Sequence, residues 1–156
     1  MDSDSPKTIL LVEDEAIIAM YERMMLEKHG FNVITVMNGE TAIETINSTP
    51  EIDLILMDIN LGSGMDGTEA AKQILKTHDL PLIFLSSHTE PEVVQKMEDI
   101  TSYGYIVKDS GEVALVASIK MAFKLHESNR RLSDTFMYSI NGLCIHKMLY
   151  DEKGIP

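Results

Sequence analysis

Short apolar runs alternate along the chain with segments whose apolar residues recur at helical spacing. The run Thr8 to Val12 stops at acidic residues, which is typical of a strand buried on both faces. In the next segment Ile17, Met20 and Met24 lie three and four residues apart, which predicts a helix ending near Gly30. The predicted strands cover residues 8–12, 32–37, 53–57, 81–85 and 104–107, and the predicted helices cover 16–28, 40–47, 68–77, 91–99 and a last one starting near Gly111 with Ser110 as its N-cap.

Five strands that alternate with five helices predict a parallel sheet covered by helices on both faces. The methionines on the apolar faces of these elements are predicted to lie in the core. They are Met20, Met24, Met25, Met57 and Met121.

The last predicted helix has no internal stop signal, because no glycine or proline occurs between Glu112 and Asn141. Leu125, Leu132 and Ser139 are spaced by seven residues, which would suit pairing with a second copy, although Ser139 is polar. Residues 142–150 then predict a strand, followed by turn residues at 151–154. A single strand cannot bury its own faces, so this tail indicates the opening of a second domain.

The composition excludes several classes of function. With 13 basic and 25 acidic residues the net charge is −12, whereas nucleic acids and anionic membranes require a basic surface. The single cysteine, Cys144, excludes an internal disulfide, and no apolar run approaches the roughly 18 residues of a membrane span. We therefore expect a cytoplasmic protein that binds neither nucleic acid nor membrane.

Polar residues follow the predicted strands at their carboxyl ends, which share one edge of a parallel sheet. Glu13 and Asp14 follow the first strand, Asp58 the third, Ser86 the fourth and Lys108 the fifth. Three carboxylates that converge beside one ammonium predict a hard divalent cation, most simply Mg²⁺. A carboxylate beside such a cation can attack a phosphoryl group and form an aspartyl phosphate, with the cation, the ammonium and the hydroxyl stabilising the phosphoryl oxygens.

These motifs resemble those of the response-regulator receiver domain of two-component signalling, over residues 8–125. They are Val12-Glu13-Asp14-Glu15, Leu56-Met57-Asp58-Ile59, Gly64-Met65-Asp66-Gly67, Phe84-Leu85-Ser86-Ser87 and Gly104-Tyr105-Ile106-Val107-Lys108. The resemblance implies an α/β fold of flavodoxin-like type: a doubly wound, five-stranded parallel sheet in the order 2-1-3-4-5 with five helices, the last one extended. It assigns residues 1–125 to the receiver domain.

The resemblance also implies the roles of the acidic residues. Asp58 would accept phosphate from the phosphohistidine of a histidine kinase or from a phosphotransfer protein. Asp58 would also belong to the Mg²⁺ site, where Asp14 would bind the ion directly, Glu13 through water, and Asn60 through its main-chain carbonyl.

Three further residues receive roles from the resemblance. Lys108 would pair with the phosphoryl oxygens, and Ser86 and Tyr105 would be the two switch residues. The switch would alter the face made by the fourth helix, fifth strand and fifth helix, through which, or through the connector helix, a homodimer could form. The domain would phosphorylate and dephosphorylate itself without being an enzyme in the ordinary sense.

Two positions depart from the family pattern. The family usually has proline where this chain has Gly62 and Asp109, and the stretch 61–64 is one residue longer than usual. The peptide bond after Lys108 is usually cis in the family, and a cis bond before Asp109 would cost about 2.5 to 4 kcal/mol.

Three other functions stay open. Asp66-Gly67-Thr68 resembles the end of the motif of haloacid-dehalogenase-type phosphatases, although Gly64 stands where their nucleophile belongs. An inactive receiver that serves as a dimerisation module and a flavodoxin-like binding module are the others.

The tail resembles the first strand of a PAS sensor domain, through Asn141-Gly142-Leu143-Cys144-Ile145 and Tyr150-Asp151-Glu152-Lys153-Gly154. This predicts a connector helix over residues 126–140 and the truncated start of a PAS domain over 141–156. The chain would then come from a larger sensory or hybrid signalling protein.

Overall fold

The computed structural model describes residues 5–62, 64–87, 91–101 and 103–143, with side chains described up to residue 130. The chain divides into two compact units, residues 1–123 and 124–156. The first unit contains the complete sheet.

The first unit is built on a five-stranded parallel sheet in the order β2-β1-β3-β4-β5. This confirms the predicted flavodoxin-like architecture. The strands are β1 Thr8–Val12, β2 Asn32–Val36, β3 Leu54–Asp58, β4 Leu82–Ser86 and β5 Tyr105–Val107, and the helices are α1 Ala16–Lys28, α2 Gly39–Ser48, α3 Gly67–Thr77, α4 Pro91–Ile100 and α5 Glu112–Leu143.

Successive side chains of the central strands enter two separate apolar layers. Leu10 and Val12 of β1 pack in a layer with residues of α2, α3 and α4, whereas Ile9 and Leu11 pack in a second layer with residues of α1 and α5. All four side chains are fully buried. Burial on both faces explains why β1, β3 and β4 are continuous apolar runs. Because these strands pair in parallel, their carboxyl ends lie at one edge of the sheet.

Helix α1 faces the sheet with a different stripe from the one predicted. Ile17, Met20 and Met24 are 82%, 60% and 62% exposed, and the buried stripe consists of Ala19, Glu22, Met25 and Leu26. The prediction of core positions was therefore wrong for Met20 and Met24, and also for Met121, which is 65% exposed; it is confirmed for Met25 and Met57. Ile17, Met20 and Met24 thus form a periodic apolar stripe that faces solvent. The stripe that faces the sheet contains a charged residue, Glu22.

Two helices begin with the side-chain caps that polar residues favour. Asn38 accepts a hydrogen bond from the Thr41 amide at 2.7 Å, and Asp66 accepts one from the Glu69 amide at 2.9 Å. Ser110 does not cap α5 as predicted. Its hydroxyl donates to the Val107 carbonyl at 2.7 Å, and Gly111 directly precedes the helix.

Helix α5 runs without interruption to Leu143, as the lack of glycine and proline predicts. It includes Gly142 and Leu143, so the predicted strand does not begin at residue 142. Cys144 and the turn residues lie outside the described residues, and so do the side chains of Leu132 and Ser139; the PAS assignment stays a prediction. Within the described part of the chain, no helix combines the length and the apolar character that crossing a membrane requires.

Candidate functional site

The sheet brings four predicted site residues to its carboxyl edge. Asp58 and Ser86 are the last residues of β3 and β4, and Glu13 and Lys108 directly follow β1 and β5. The Glu13 amide donates to the Val36 carbonyl at 3.0 Å, and the Lys108 amide donates to the Ser86 carbonyl at 2.9 Å. These bonds continue the strand ladder, so the backbone of both residues is fixed by the sheet.

An ion-pair network joins three of these side chains. The Lys108 ammonium donates to Glu13 Oε1 at 3.0 Å and to Asp58 Oδ2 at 2.9 Å. Glu13 is 0% exposed and Asp58 is 2% exposed, so two buried carboxylates share one cation. Buried charges are tolerated where they are paired in this way.

The shared cation does not neutralise both carboxylates. Burial, together with the charge of Asp58, raises the pKa of Glu13 to about 7 despite the hydrogen bond from Lys108. Burial alone would lower the pKa of Lys108, but its hydrogen bonds to Asp58 and Glu13 raise it above the usual value. The cluster therefore favours a second positive charge.

The acidic side chains of this cluster can supply ligands for a metal ion. One carboxylate oxygen each from Glu13, Asp14 and Asp58 lies within 4.8 Å of the other two. An all-oxygen donor set with spare negative charge fits a hard divalent cation such as Mg²⁺. The Asn60 amide donates to Asp58 Oδ1 at 3.1 Å, which places its backbone beside the cluster; the ligand role of its carbonyl stays a prediction.

The two predicted switch residues lie on neighbouring strands. Ser86 is 1% exposed at the end of β4, and Tyr105, half-buried, begins β5 opposite Phe84. Tyr105 packs against the layer formed with α2, α3 and α4. The structure thus brings Ser86 to the site and Tyr105 to the strand beside it, and the switching role of both stays a prediction.

Gly67 is a part of the site whose structural role the sequence reasoning missed. It begins α3, and its amide donates to the Ile59 carbonyl at 3.0 Å. A Cβ on Gly67 would lie 2.0 Å from the Asp58 carbonyl oxygen and 3.0 Å from Ile59 Cα. The start of α3 therefore rests directly on the backbone of Asp58, and only glycine allows this approach.

The structure gives the Asp66-Gly67-Thr68 sequence a local structural role. Asp66 caps α3, and its Oδ1 accepts hydrogen bonds from the Glu69 amide and the Thr68 hydroxyl. Its side chain is thus engaged at the start of α3, and the phosphatase alternative stays a prediction.

Both departures from the family pattern have a defined geometry. Gly62 has φ +71°, which proline cannot adopt, and a Cβ there would lie 3.0 Å from Asp14 Oδ2. The loop thus passes close to a predicted metal ligand. The bond between Lys108 and Asp109 is trans.

Glu22 is a second residue that the sequence reasoning missed. It lies on the buried stripe of α1, is 7% exposed, and burial raises its pKa to about 7. Among the described residues its Oε1 has no hydrogen-bond partner. Testing which stripe of α1 faces inward would have found it, because the stripe through Ala19 and Leu26 includes residue 22.

Glu22 makes stability depend on pH. Its pKa is about 7 in the folded protein against 4.5 ordinarily, so the folded state binds its proton more tightly and loses stability as pH rises between these values. We expect urea unfolding of Glu22→Gln to show a decline between pH 5 and pH 8 smaller than the wild type's by about 3 kcal/mol. Glu98→Gln, at an exposed glutamate of α4, is the control. Equal declines in wild type and Glu22→Gln would contradict the raised pKa.

Comparisons with known proteins agree with this geometry. Residues 9–120 match the family model described as the response regulator receiver domain. The transcriptional regulatory protein PdtaR of Mycobacterium tuberculosis is 28% identical over 122 residues, which are 78% of this chain and 58% of that protein. The chain thus spans little more than half the length of this relative.

Two solved structures share both the fold and part of the sequence. The N-terminal domain of a response regulator/sensory box/GGDEF three-domain protein from Carboxydothermus hydrogenoformans has a TM-score of 0.73 and 43% identity, covering 79% of this chain and 98% of that one. The receiver domain of a modulated diguanylate cyclase from Desulfovibrio desulfuricans has a TM-score of 0.73 and 30% identity, covering 80% and 99%. With its matching family model, strand order and acidic site, the chain belongs to the response regulator receiver domain family.

Proposed function

We propose that this domain is a phosphoryl-acceptor switch in which Asp58 is the acceptor. The observation that carries the proposal is the position of the Asp58 carboxylate between an ammonium and two further acids at the carboxyl edge of the sheet. Such a carboxylate is held in place for attack, and the positive charge beside it is positioned for incoming phosphoryl oxygens.

The proposed reaction is one phosphoryl transfer. A carboxylate oxygen of Asp58 forms a bond to phosphorus as the bond from phosphorus to the histidine nitrogen of the donor breaks. The electron pair of that bond returns to the imidazole nitrogen. The Asn60 amide donates to Asp58 Oδ1, and the Lys108 ammonium donates to Asp58 Oδ2. Together the two residues fix the orientation of the carboxylate.

The neighbouring residues have separate tasks in this proposal. Asp14, Asp58 and the Asn60 carbonyl would hold Mg²⁺, with Glu13 acting through water, and the ion would supply charge that offsets the phosphoryl oxygens. The Lys108 ammonium moves its hydrogen bond from Asp58 to a phosphoryl oxygen, and the Ser86 hydroxyl donates to another. This change at the end of β4 is passed to Tyr105 on the adjacent strand. It shifts the equilibrium between two forms of the surface made by α4, β5 and α5.

The proposed setting is a longer signalling protein. A histidine kinase or phosphotransfer protein supplies the phosphoryl group, and the domain itself turns over no other substrate. The solved domain from C. hydrogenoformans is the N-terminal domain of a response regulator/sensory box/GGDEF three-domain protein, which supports a sensory domain, such as the predicted PAS domain, after this one. A cytoplasmic location belongs to the same proposal. Homodimerisation through α4, β5 and α5 or through the connector belongs to the same proposal.

The test is labelling with a small phosphodonor such as acetyl phosphate. We expect wild type to gain one phosphoryl group by intact mass when Mg²⁺ is present and none when it is chelated, and we expect Asp58→Asn to gain none. Asp79→Asn, an exposed acid before β4 at the opposite edge of the sheet, should label like wild type. Undiminished labelling of a folded Asp58→Asn would refute the proposal.

A further inference from the structure

The loop between β3 and α3 passes beside the acidic cluster and is anchored at two points. Leu61, which is 3% exposed, lies in the apolar layer formed with α2, α3 and α4, and the half-buried Met65 packs against the same layer. Between these anchors Gly62 lies close to the Asp14 carboxylate, since a Cβ there would be 3.0 Å from Asp14 Oδ2. Glycine restrains the backbone less than any other residue, so the position of Gly62 depends on the two anchors.

Asp14 is the acid of the cluster whose orientation depends most on this loop. The Lys108 ammonium donates to both Glu13 and Asp58 and so holds their carboxylates. Asp14 is only half-buried, and within the described part of the chain no hydrogen bond or ion pair reaches its carboxylate. Its orientation therefore depends on packing, and the backbone at Gly62 supplies a close contact.

Glu40 in the first turn of α2 holds the second anchor of the loop. The Met65 amide donates to Glu40 Oε2 at 3.3 Å, and a Cβ on Gly64 would lie 3.3 Å from the same oxygen. The Met65 side chain also packs on the start of α2, because a Cβ on Gly39 would lie 3.4 Å from Met65 Sδ. Since Asn38 caps this helix, Glu40 projects from a well-fixed helix end.

We propose that Glu40 is a positioning residue of the Mg²⁺ site. Its hydrogen bond to the Met65 amide fixes the end of the loop, so that Gly62 stays against Asp14. The Asp14 carboxylate is thereby kept beside the other two acids of the cluster, whose oxygens lie within 4.8 Å of it. Orientation of a ligand in advance raises metal affinity, because less order has to be imposed when the ion binds. The inference rests on the metal site of the proposed function and is independent of phosphoryl transfer.

The test is a Mg²⁺ titration of the full chain, followed by NMR at the Gly62 amide. We expect Glu40→Ala to raise the Mg²⁺ dissociation constant about threefold, the size of effect that one exposed hydrogen bond has. Glu40→Gln should bind Mg²⁺ like wild type, because the glutamine carbonyl can still accept the Met65 amide although the charge is gone. Hydrogen exchange of the Met65 amide should be faster in Glu40→Ala alone. Glu44→Ala, at an exposed glutamate one turn further along α2, is the control and should match wild type.

The conservative variant separates positioning from a contribution to the stability of α2. An acid in the first turn of a helix interacts favourably with the helix dipole, and both variants lose this interaction, so thermal unfolding verifies their folding and only Mg²⁺ affinity tells them apart. Equal losses of affinity in the two variants would overturn the proposal, since charge alone would then explain them. Wild-type affinity in a folded Glu40→Ala would overturn it as well. An absence of saturable Mg²⁺ shifts in wild type would refute the metal site of the proposed function itself, and this role of Glu40 with it.

Discussion

Gly67→Ala is expected to destabilise the domain by about 3 kcal/mol or more and to slow labelling of Asp58. The added methyl group would meet the Asp58 carbonyl oxygen at 2.0 Å, and backbone within a central strand cannot turn away as a flexible side chain can. Either α3 moves off the sheet or the end of β3 shifts, and both displace the acceptor. Urea unfolding and the initial rate of Mg²⁺-dependent labelling measure the two effects.

The control is Gly30→Ala, which tests backbone strain without a clash. Gly30 has φ +93° and nothing within 4 Å of an added Cβ, so we expect a loss of about 1 kcal/mol and normal labelling. If Gly67→Ala were no less stable than Gly30→Ala, the close packing of α3 on Asp58 would be disproved.

Lys108→Met is expected to destabilise the Mg²⁺-free protein by about 3 kcal/mol at pH 8. The methionine is neutral and of similar length, so the variant leaves Glu13 and Asp58 buried side by side without their cation. At pH 5 the loss should be smaller, because Glu13, whose pKa burial and the charge of Asp58 raise to about 7, can then take up a proton. Denaturant unfolding at both pH values measures the difference.

Two further measurements isolate the cause of this loss. Mg²⁺ should raise the melting temperature of Lys108→Met more than that of wild type, because it replaces the missing positive charge. The double variant with Asp58→Asn should regain part of the lost stability, since one of the two carboxylates is gone. A Lys108→Met protein as stable as wild type at pH 8 would show that the ion pairs contribute nothing.

The fold could be predicted almost completely because its signals are local and repeated. The central strands are buried on both faces, so each is an uninterrupted apolar run, and the alternation with helices sets a parallel sheet. The carboxyl ends of parallel strands then define one edge, which is why Glu13, Asp58 and Lys108 could be placed together before any coordinates.

The features that were missed depend on packing between distant segments. The spacing of Ile17, Met20 and Met24 is that of a buried stripe, yet the stripe beside it faces the sheet and brings Glu22 inside. The periodicity predicts a helix. It does not show which side of the helix faces the sheet when two neighbouring stripes both contain apolar residues. The need for glycine at position 67 likewise arises from contact with β3, which the sequence of α3 alone does not reveal.

The most direct test of the central claim locates the phosphoryl group itself. Wild-type protein is incubated with acetyl phosphate and Mg²⁺, reduced with borohydride, which converts an aspartyl phosphate to homoserine, and analysed by peptide mass spectrometry. We predict homoserine at position 58, dependent on both phosphodonor and Mg²⁺. Homoserine at another aspartate with position 58 unchanged would contradict the account, as would an adduct that resists borohydride.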